Sequence, residues 1–323
     1  MRPLNMLAAI SAPMVMFKSR MASAPTTVMP TVVMSDRLEP IFPKPSIFTP
    51  RRTDRSIVSA WASSHFGRNV SPSASALDVV RPANSNGPAP ALAFFPGGSW
   101  RTKNRKDMKD RYAIKMAERG VVCIGGEYRV MTEAPWPAPL HDVKTIIKWM
   151  RSSADQLGLD PDRISVGGSS AGGHLALLAA GTPDSKDLEP PYFEGVSSAV
   201  STVVGVYPVV DLLPTAKKND LSELFPGGVT EVKLLDASPI SYARPSFPPT
   251  LLVHGTGDVR VDYRHTVRMY DALEAAGVPV DLQLFSRQDH VFDREDMFSA
   301  PIADAMALFI ERYANAAVGA TAD

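Results

Sequence analysis

Residues 163–181, RISVGGSSAGGHLALLAAG, place the tightest limit on how this chain folds. An apolar, strand-like run passes into a helix-like run through glycines and two adjacent serines. A strand that enters a helix so abruptly must turn sharply. Side chains two positions either side of the turning residue would collide, so glycine is required there. Ser170 meets that condition in the frame Gly168-Ser169-Ser170-Ala171-Gly172. Ser169 does not, because Gly167 and Ala171 flank it at the same spacing. Residues 163–167 supply the strand, residues 174–180 the helix, and Gly181 with Pro183 beyond it the stop. The segment predicts a nucleophile elbow that lifts the Ser170 hydroxyl above a sheet edge. The competing role for either serine is an ordinary helix N-cap.

Strand-like and helix-like segments alternate through the rest of the chain. SALDVVRP opens the pattern, with Leu77, Val79 and Val80 in a short strand that Pro82 ends. Apolar runs at 91–95, 121–126, 163–168, 201–208, 250–255 and 280–286 read as strands. Stretches near 103–119, 139–157, 172–180, 263–276 and 301–315 read as helices. Apolar strands separated by helices predict an α/β chain with a mostly parallel sheet covered on both faces. The expected organisation is a proline-rich N-terminal arm over residues 1–70 and a catalytic domain over 71–323. Six prolines between Pro25 and Pro50 resist both helix and central strand. Within the arm, Ile57, Val58, Trp61 and Phe66 offer the apolar face of a short helix over the pocket mouth, a partial cap.

The first 35 residues are basic, and the apolar stretch at 4–17 is broken by Asn5 and Pro13, too short to span a bilayer. They fit a weak signal peptide ending at Ala22-Ser23-Ala24, or a transit peptide. Lys18 and Arg20 fall where a signal peptide should be uncharged, which tilts the reading toward a cytoplasmic protein. Thirty-four basic residues balance 34 acidic ones, so charge makes no case for nucleic acid or an anionic membrane as partner. A small neutral molecule suits this balance better, and nothing in the sequence speaks to oligomeric state. The single cysteine, Cys123, sits in an apolar run and reads as a buried, inert thiol. No Cys/His cluster has metal-ligand spacing.

An activated serine needs a base, and the base needs an acid that holds its tautomer and balances its charge. In sheets of this type the three occur in the chain order serine, acid, histidine. Of six histidines, His65 and His141 precede Ser170, and His174 lies one helical turn beyond it. His254 ends a strand, where its ring suits a turn, and His265 falls inside the next helix. His290 follows the last strand on a loop at the sheet's carboxyl end, where functional side chains gather. The base is therefore expected at His290. Asp258, three residues past the strand at 250–255 on a glycine-rich turn, is the expected acid, with Asp211 and Asp262 in reserve. Asp289 is badly placed to fold back onto the neighbouring ring. An oxyanion needs fixed donors, of which the amide of Ala171 is one. The loop at 94–100, FFPGGSW, follows an earlier strand and is placed to supply others.

Taken in order, LDVVRP, FFPGGSW, GGEYRV, LHDVKTIIKWM, GGSSAGGHLALL, GVYPVVDL, LLVHGTGDVRV and QDHVF resemble the α/β-hydrolase serine esterases. They are most similar to the branch of acetyl and feruloyl esterases and arylformamidases, beside the hormone-sensitive-lipase-like carboxylesterases. The resemblance runs over about residues 75–315. It implies an α/β-hydrolase fold, hydrolysis of a small ester without a cofactor, a triad of Ser170, Asp258 and His290, and oxyanion amides from Gly98, Ser99 and Ala171. Two departures stand out. Pro96 replaces the histidine that usually opens the oxyanion loop, so proline rigidity is expected to replace imidazole bonds there. Ser99 stands where lipase-like relatives have a third glycine. Asp142 and His174 match family positions that look structural.

Three other readings are weighed. Formamide or amide cleavage uses the same triad. A peptidase of the prolyl-oligopeptidase type is disfavoured because no propeller-like repeat precedes the hydrolase segment. A binding protein that has lost catalysis would normally lack a triad member, and here all three are present. Pocket shape is expected to depend on Trp100, Tyr128, Trp136, Tyr207, Leu212, Val259 and Phe292. The stretch LLPTAKKNDLSELFPGG, with Lys217, Lys218, Asp220 and Glu223, is too polar for a lipid-docking lid, so short acyl groups are expected.

Overall fold

Apolar runs flanked by glycine and proline become the strands of an eight-stranded sheet in a computed structural model that describes residues 57–58, 77–83, 87–183 and 185–314. In chain order the strands are β1 Ile57–Val58, β2 Asp78–Val80, β3 Ala89–Phe95, β4 Val122–Gly125, β5 Leu159–Ser169, β6 Thr202–Val206, β7 Thr250–Gly255 and β8 Val280–Phe285. Their spatial order is β1-β2-β4-β3-β5-β6-β7-β8. β1 and β2 pair antiparallel at one edge, and β4 through β8 run parallel. The parallel strands are apolar on both faces because helices cover both.

Alternation along β3 sorts the core into two layers. Ala91, Ala93 and Phe95 face a cluster with Leu140, Ile147, Leu175, Leu178 and Met269. Leu92 and Phe94 face the other, with Tyr112, Met116, Met306 and Phe309. The helices Ala138–Ser152, Ala171–Gly181 and Arg264–Ala275 therefore lie on one side, and Asp296–Tyr313 on the other. Buried Cys123 belongs to the second layer, where burial pushes its thiol up to about 12 and leaves it an inert hydrophobe.

The structure corrects the sequence reading in three places. Residues 57–58 form a strand in register with Val79 and Val80, so the sheet draws on chain before residue 71. β-branched residues favour the pleated edge over a helix. β1 is the edge strand, separated from β5 by β2, β4 and β3; Trp61 and Phe66, also expected in the cap, lie outside the described residues. The helix expected over 103–119 is interrupted by a π-helical turn, Lys109–Ala113, between Arg105–Met108 and Ile114–Glu118. Two short helices follow β6, Leu212–Ala216 at the start of the polar stretch and Glu231–Asp236 just after it. Each is capped by a side chain, Asp211 on Leu213 N–H and Thr230 on Lys233 N–H.

Candidate active site

The carboxyl ends of the parallel strands converge on one cavity of about 670 Å³. Ser170 follows β5 directly, with φ 53° and ψ −119°, a strained backbone for a residue with a side chain. Its N–H bonds Val206 O at 2.9 Å, which pins the turn to the neighbouring strand. The glycines are there for space. A Cβ at Gly168 would run into the Gly172 carbonyl, and one at Gly172 into the carbonyls of Phe95 and Pro96.

Neither serine caps the helix that follows. Ser170 precedes it without a side-chain capping bond. Its Oγ lies 3.1 Å from His290 Nε2. Ser169 is buried, and its Oγ accepts the Gly97 N–H at 3.2 Å, so it anchors the loop after β3.

His290 stands on the loop after β8, and its Nδ1 lies 2.6 Å from Asp258 Oδ2. Asp258 sits after β7 with its side chain sealed from solvent. Burial alone would raise its carboxyl. Bonds from His254 and His290 and from the Val261 N–H outweigh burial and hold it well below the ordinary carboxylate range. An ionised acceptor at Oδ2 places the His290 proton on Nδ1 and leaves Nε2 as the acceptor facing Ser170. Asp258 Oδ1 takes the N–H groups of Arg260 and Val261, both at 2.9 Å, so the turn itself orients the carboxylate.

The other titratable candidates have separate roles. His254 Nε2 lies 3.0 Å from Asp258 Oδ2 and its Nδ1 2.6 Å from Thr266 Oγ1, so a second imidazole braces the acid. His265 accepts the Val210 N–H, and burial lowers its pKa to about 4. Asp211 caps a helix and pairs with Arg268, Asp262 caps the turn at Arg264, and Asp289 accepts the N–H groups of His290 and Val259. Asp142 pairs with Arg129, as its structural reading implied. Among the described residues no group of three His, Cys, Asp or Glu side chains is placed to hold a metal ion.

The loop after β3 is held differently from the expectation of proline rigidity alone. Tyr128 OH donates to Pro96 O at 3.0 Å, and Met131 N–H to Trp100 O at 2.8 Å. Trp100 Nε1 donates to His174 Nδ1 at 3.2 Å, and His174 Nε2 donates to Ala237 O at 2.6 Å. An imidazole does brace this loop, from the helix after the elbow instead of from position 96. Gly98, Ser99 and Trp100 all have positive φ, which turns this stretch of backbone toward the cavity. Gly98, Ser99 and Ala171 line the cavity beside Ser170, and Ala171 opens a helix, where an N–H lacks an intrahelical partner.

Burial drives the His174 pKa down to about 4, so this ring and that of His265 stay neutral in the fold. Both bind a proton more readily once unfolded. Their contribution is therefore complete above pH 6.5 and is lost as pH falls toward 4. For His174 it is on the order of 3 kcal/mol. The melting temperature is expected to fall by roughly 5–10 °C between pH 7 and pH 4.5, and a flat profile from thermal unfolding would contradict this.

Of the side chains expected to shape the pocket, Trp100, Tyr207 and Val259 line it. Tyr128 and Leu212 are buried, Trp136 packs on His174 and Phe225, and Phe292 stacks on Phe285 and Phe298. The polar excursion supplies one wall through Thr215, Lys218, Asn219 and Asp220. It is tied to the loop after β3 by an Arg101–Glu223 ion pair at 2.6 Å. The reasoning from sequence missed the support given by Ser169 and Tyr207. The aromatic in GVYP at a strand end was a signal for the second.

Known proteins share sequence and fold with this chain. Esterase LipC of Mycobacterium tuberculosis is 32% identical over 236 residues, covering 70% of this chain and 59% of LipC. Isoprenylcysteine alpha-carbonyl methylesterase ICME of Arabidopsis thaliana is 26% identical over 228 residues, covering 66% of this chain and 53% of that protein. The chain thus spans just over half the length of these curated relatives. Among solved structures, the acetyl ester-xyloside bifunctional hydrolase from Caldicellulosiruptor lactoaceticus superposes with a TM-score of 0.67 at 26% identity, covering 83% of this chain and 98% of that one. Thermogutta terrifontis esterase 2, solved phosphorylated by paraoxon, gives 0.64 at 27% identity, covering 75% and 92%. The fold is that of the α/β-hydrolase esterases, as the sequence motifs implied. The family model described as BD-FAE matches residues 77–273, more than half of the chain, and this chain belongs to the BD-FAE family.

Proposed function

We propose that this protein is a serine carboxylic ester hydrolase for small or short-acyl esters, acting through an acyl-enzyme. The observation that carries the reading is the unbroken chain Ser170 Oγ, His290 Nε2, His290 Nδ1, Asp258 Oδ2 opening on the cavity. His290 takes the Ser170 proton as Oγ attacks the ester carbonyl, and Asp258 balances the imidazolium that forms. The amides of Gly98, Ser99 and Ala171 receive the tetrahedral oxyanion. The bond to the alcohol breaks as His290 returns the proton to the leaving oxygen. Water, activated by the same base, then frees the acid and regenerates Ser170. The names of the relatives, esterases and ester hydrolases, support ester over amide cleavage.

Thr215, Lys218, Asn219 and Asp220 make one wall of the cavity polar, which interrupts the apolar surface a long chain would need. Each buried methylene contributes roughly 0.8 kcal/mol only where such a surface receives it. A p-nitrophenyl ester panel is expected to peak at about two to six acyl carbons, the range a cavity of a few hundred cubic ångströms encloses. A maximum at twelve carbons or more, with activation at an oil–water interface, would refute the short-acyl reading. Fluorophosphonate labelling with peptide mapping tests the class, and label on a residue other than Ser170 would refute the triad.

A further inference from the structure

Tyr207, at the end of β6, has φ 38°, a left-handed backbone that a bulky residue keeps only where its surroundings impose it. Its N–H is held by Val253 O at 2.6 Å. Its phenol donates to Asp293 Oδ1 at 2.7 Å and accepts from Arg111 Nη1 at 3.0 Å. Arg111 also bonds Asp293 Oδ1 at 3.0 Å, and Tyr112 OH donates to Asp293 Oδ2 at 2.6 Å. Asp293 is fully buried and follows His290 by three residues, while Arg111 and Tyr112 come from the π-helical turn. The Tyr207 ring rests on the His290 imidazole, with centroids 4.6 Å apart.

A buried ion pair is a poor way to gain stability, because well-packed apolar residues of equal volume often do as well or better. Its position directly behind the base calls for another role. We propose that Tyr207, held by Asp293 and Arg111, is a positioning residue for the reaction: its ring sets the plane of the His290 imidazole, and its hydroxyl ties that ring to Asp293 on the segment that follows His290. This rests on the triad reading given above.

The test compares Tyr207→Phe, Tyr207→Leu and Tyr112→Phe with the wild type, reading kcat, KM and melting temperature on a short-acyl p-nitrophenyl ester. Tyr207→Phe keeps the ring and loses the hydroxyl. Tyr112→Phe loses an equally buried bond to the same carboxylate at a residue that does not touch the site. Tyr207→Phe is expected to lower kcat roughly tenfold with KM within about twofold, and Tyr207→Leu roughly a further tenfold, since misplacing a catalytic group by about 1 Å costs up to a hundredfold. Tyr112→Phe is expected to keep kcat within about twofold whatever its melting temperature. Wild-type kcat in Tyr207→Phe, or an equal loss in Tyr112→Phe, would overturn the positioning role while leaving the triad intact. If Tyr207→Leu does not fold, the two phenylalanine variants decide the matter. Hydrolysis that survives Ser170→Ala would overturn the triad reading and the positioning role together.

Discussion

Ser170→Ala is expected to abolish ester hydrolysis, with turnover falling on the order of a millionfold, as removal of a triad nucleophile does. The variant should fold, because the Ser170 side chain makes no capping bond and the elbow is held by its backbone N–H on Val206 O. Ser169→Ala is the informative partner. From sequence alone it is at most a lost helix cap, which would leave most of the activity. The structure revises that expectation, because Ser169 Oγ holds the Gly97 amide at the start of the oxyanion loop. Its loss is expected to lower kcat roughly tenfold, the effect of loosening a fixed donor by a fraction of an ångström. Steady-state kinetics and fluorophosphonate labelling of both variants separate the roles. Equal activity in the two would refute the elbow assignment, and full activity in Ser169→Ala would refute the anchor.

His290→Ala is expected to approach the Ser170 variant, because no other imidazole of the described chain is placed on Ser170 Oγ. Asp258→Asn should lose about 10⁴-fold in kcat, since the amide offers His290 the wrong hydrogen-bonding group and no charge. His265→Ala should stay active, its ring being occupied with the Val210 N–H. His254→Ala tests the second imidazole on Asp258. A loss much smaller than that of Asp258→Asn is expected, because His290 and two backbone N–H groups still hold the carboxylate. Near wild-type kcat in His290→Ala would remove His290 as the base and undo the mechanism.

These predictions divide by how far each interaction reaches along the chain. The elbow was legible from residues 163–181 because its cause is local. A sharp strand-to-helix turn excludes Cβ atoms two residues away, and only glycine meets that condition. The strands and most helices were legible from apolar periodicity, which reports burial within one element. The Asp258 turn and the loop bearing His290 were legible from their places after strands, since parallel strands carry their following loops to one end of the sheet.

The sequence by itself determined the α/β layering and the glycine-flanked turn at Ser170, because sterics and strand polarity act between near neighbours, and it put Asp258 and His290 on loops that follow strands. The tertiary structure alone decided what holds those groups in place. His174 bracing Trp100 spans 74 residues, Ser169 holding Gly97 spans 72, and Arg111 meeting Asp293 spans 182. Contacts at such separations depend on which face each helix presents and on the turn that aims the side chain, here a π-helical one at Lys109–Ala113 that no periodicity announced. Polar groups buried between elements must find partners wherever the packing puts them, so the support of the site was settled by three-dimensional packing and not by spacing along the chain.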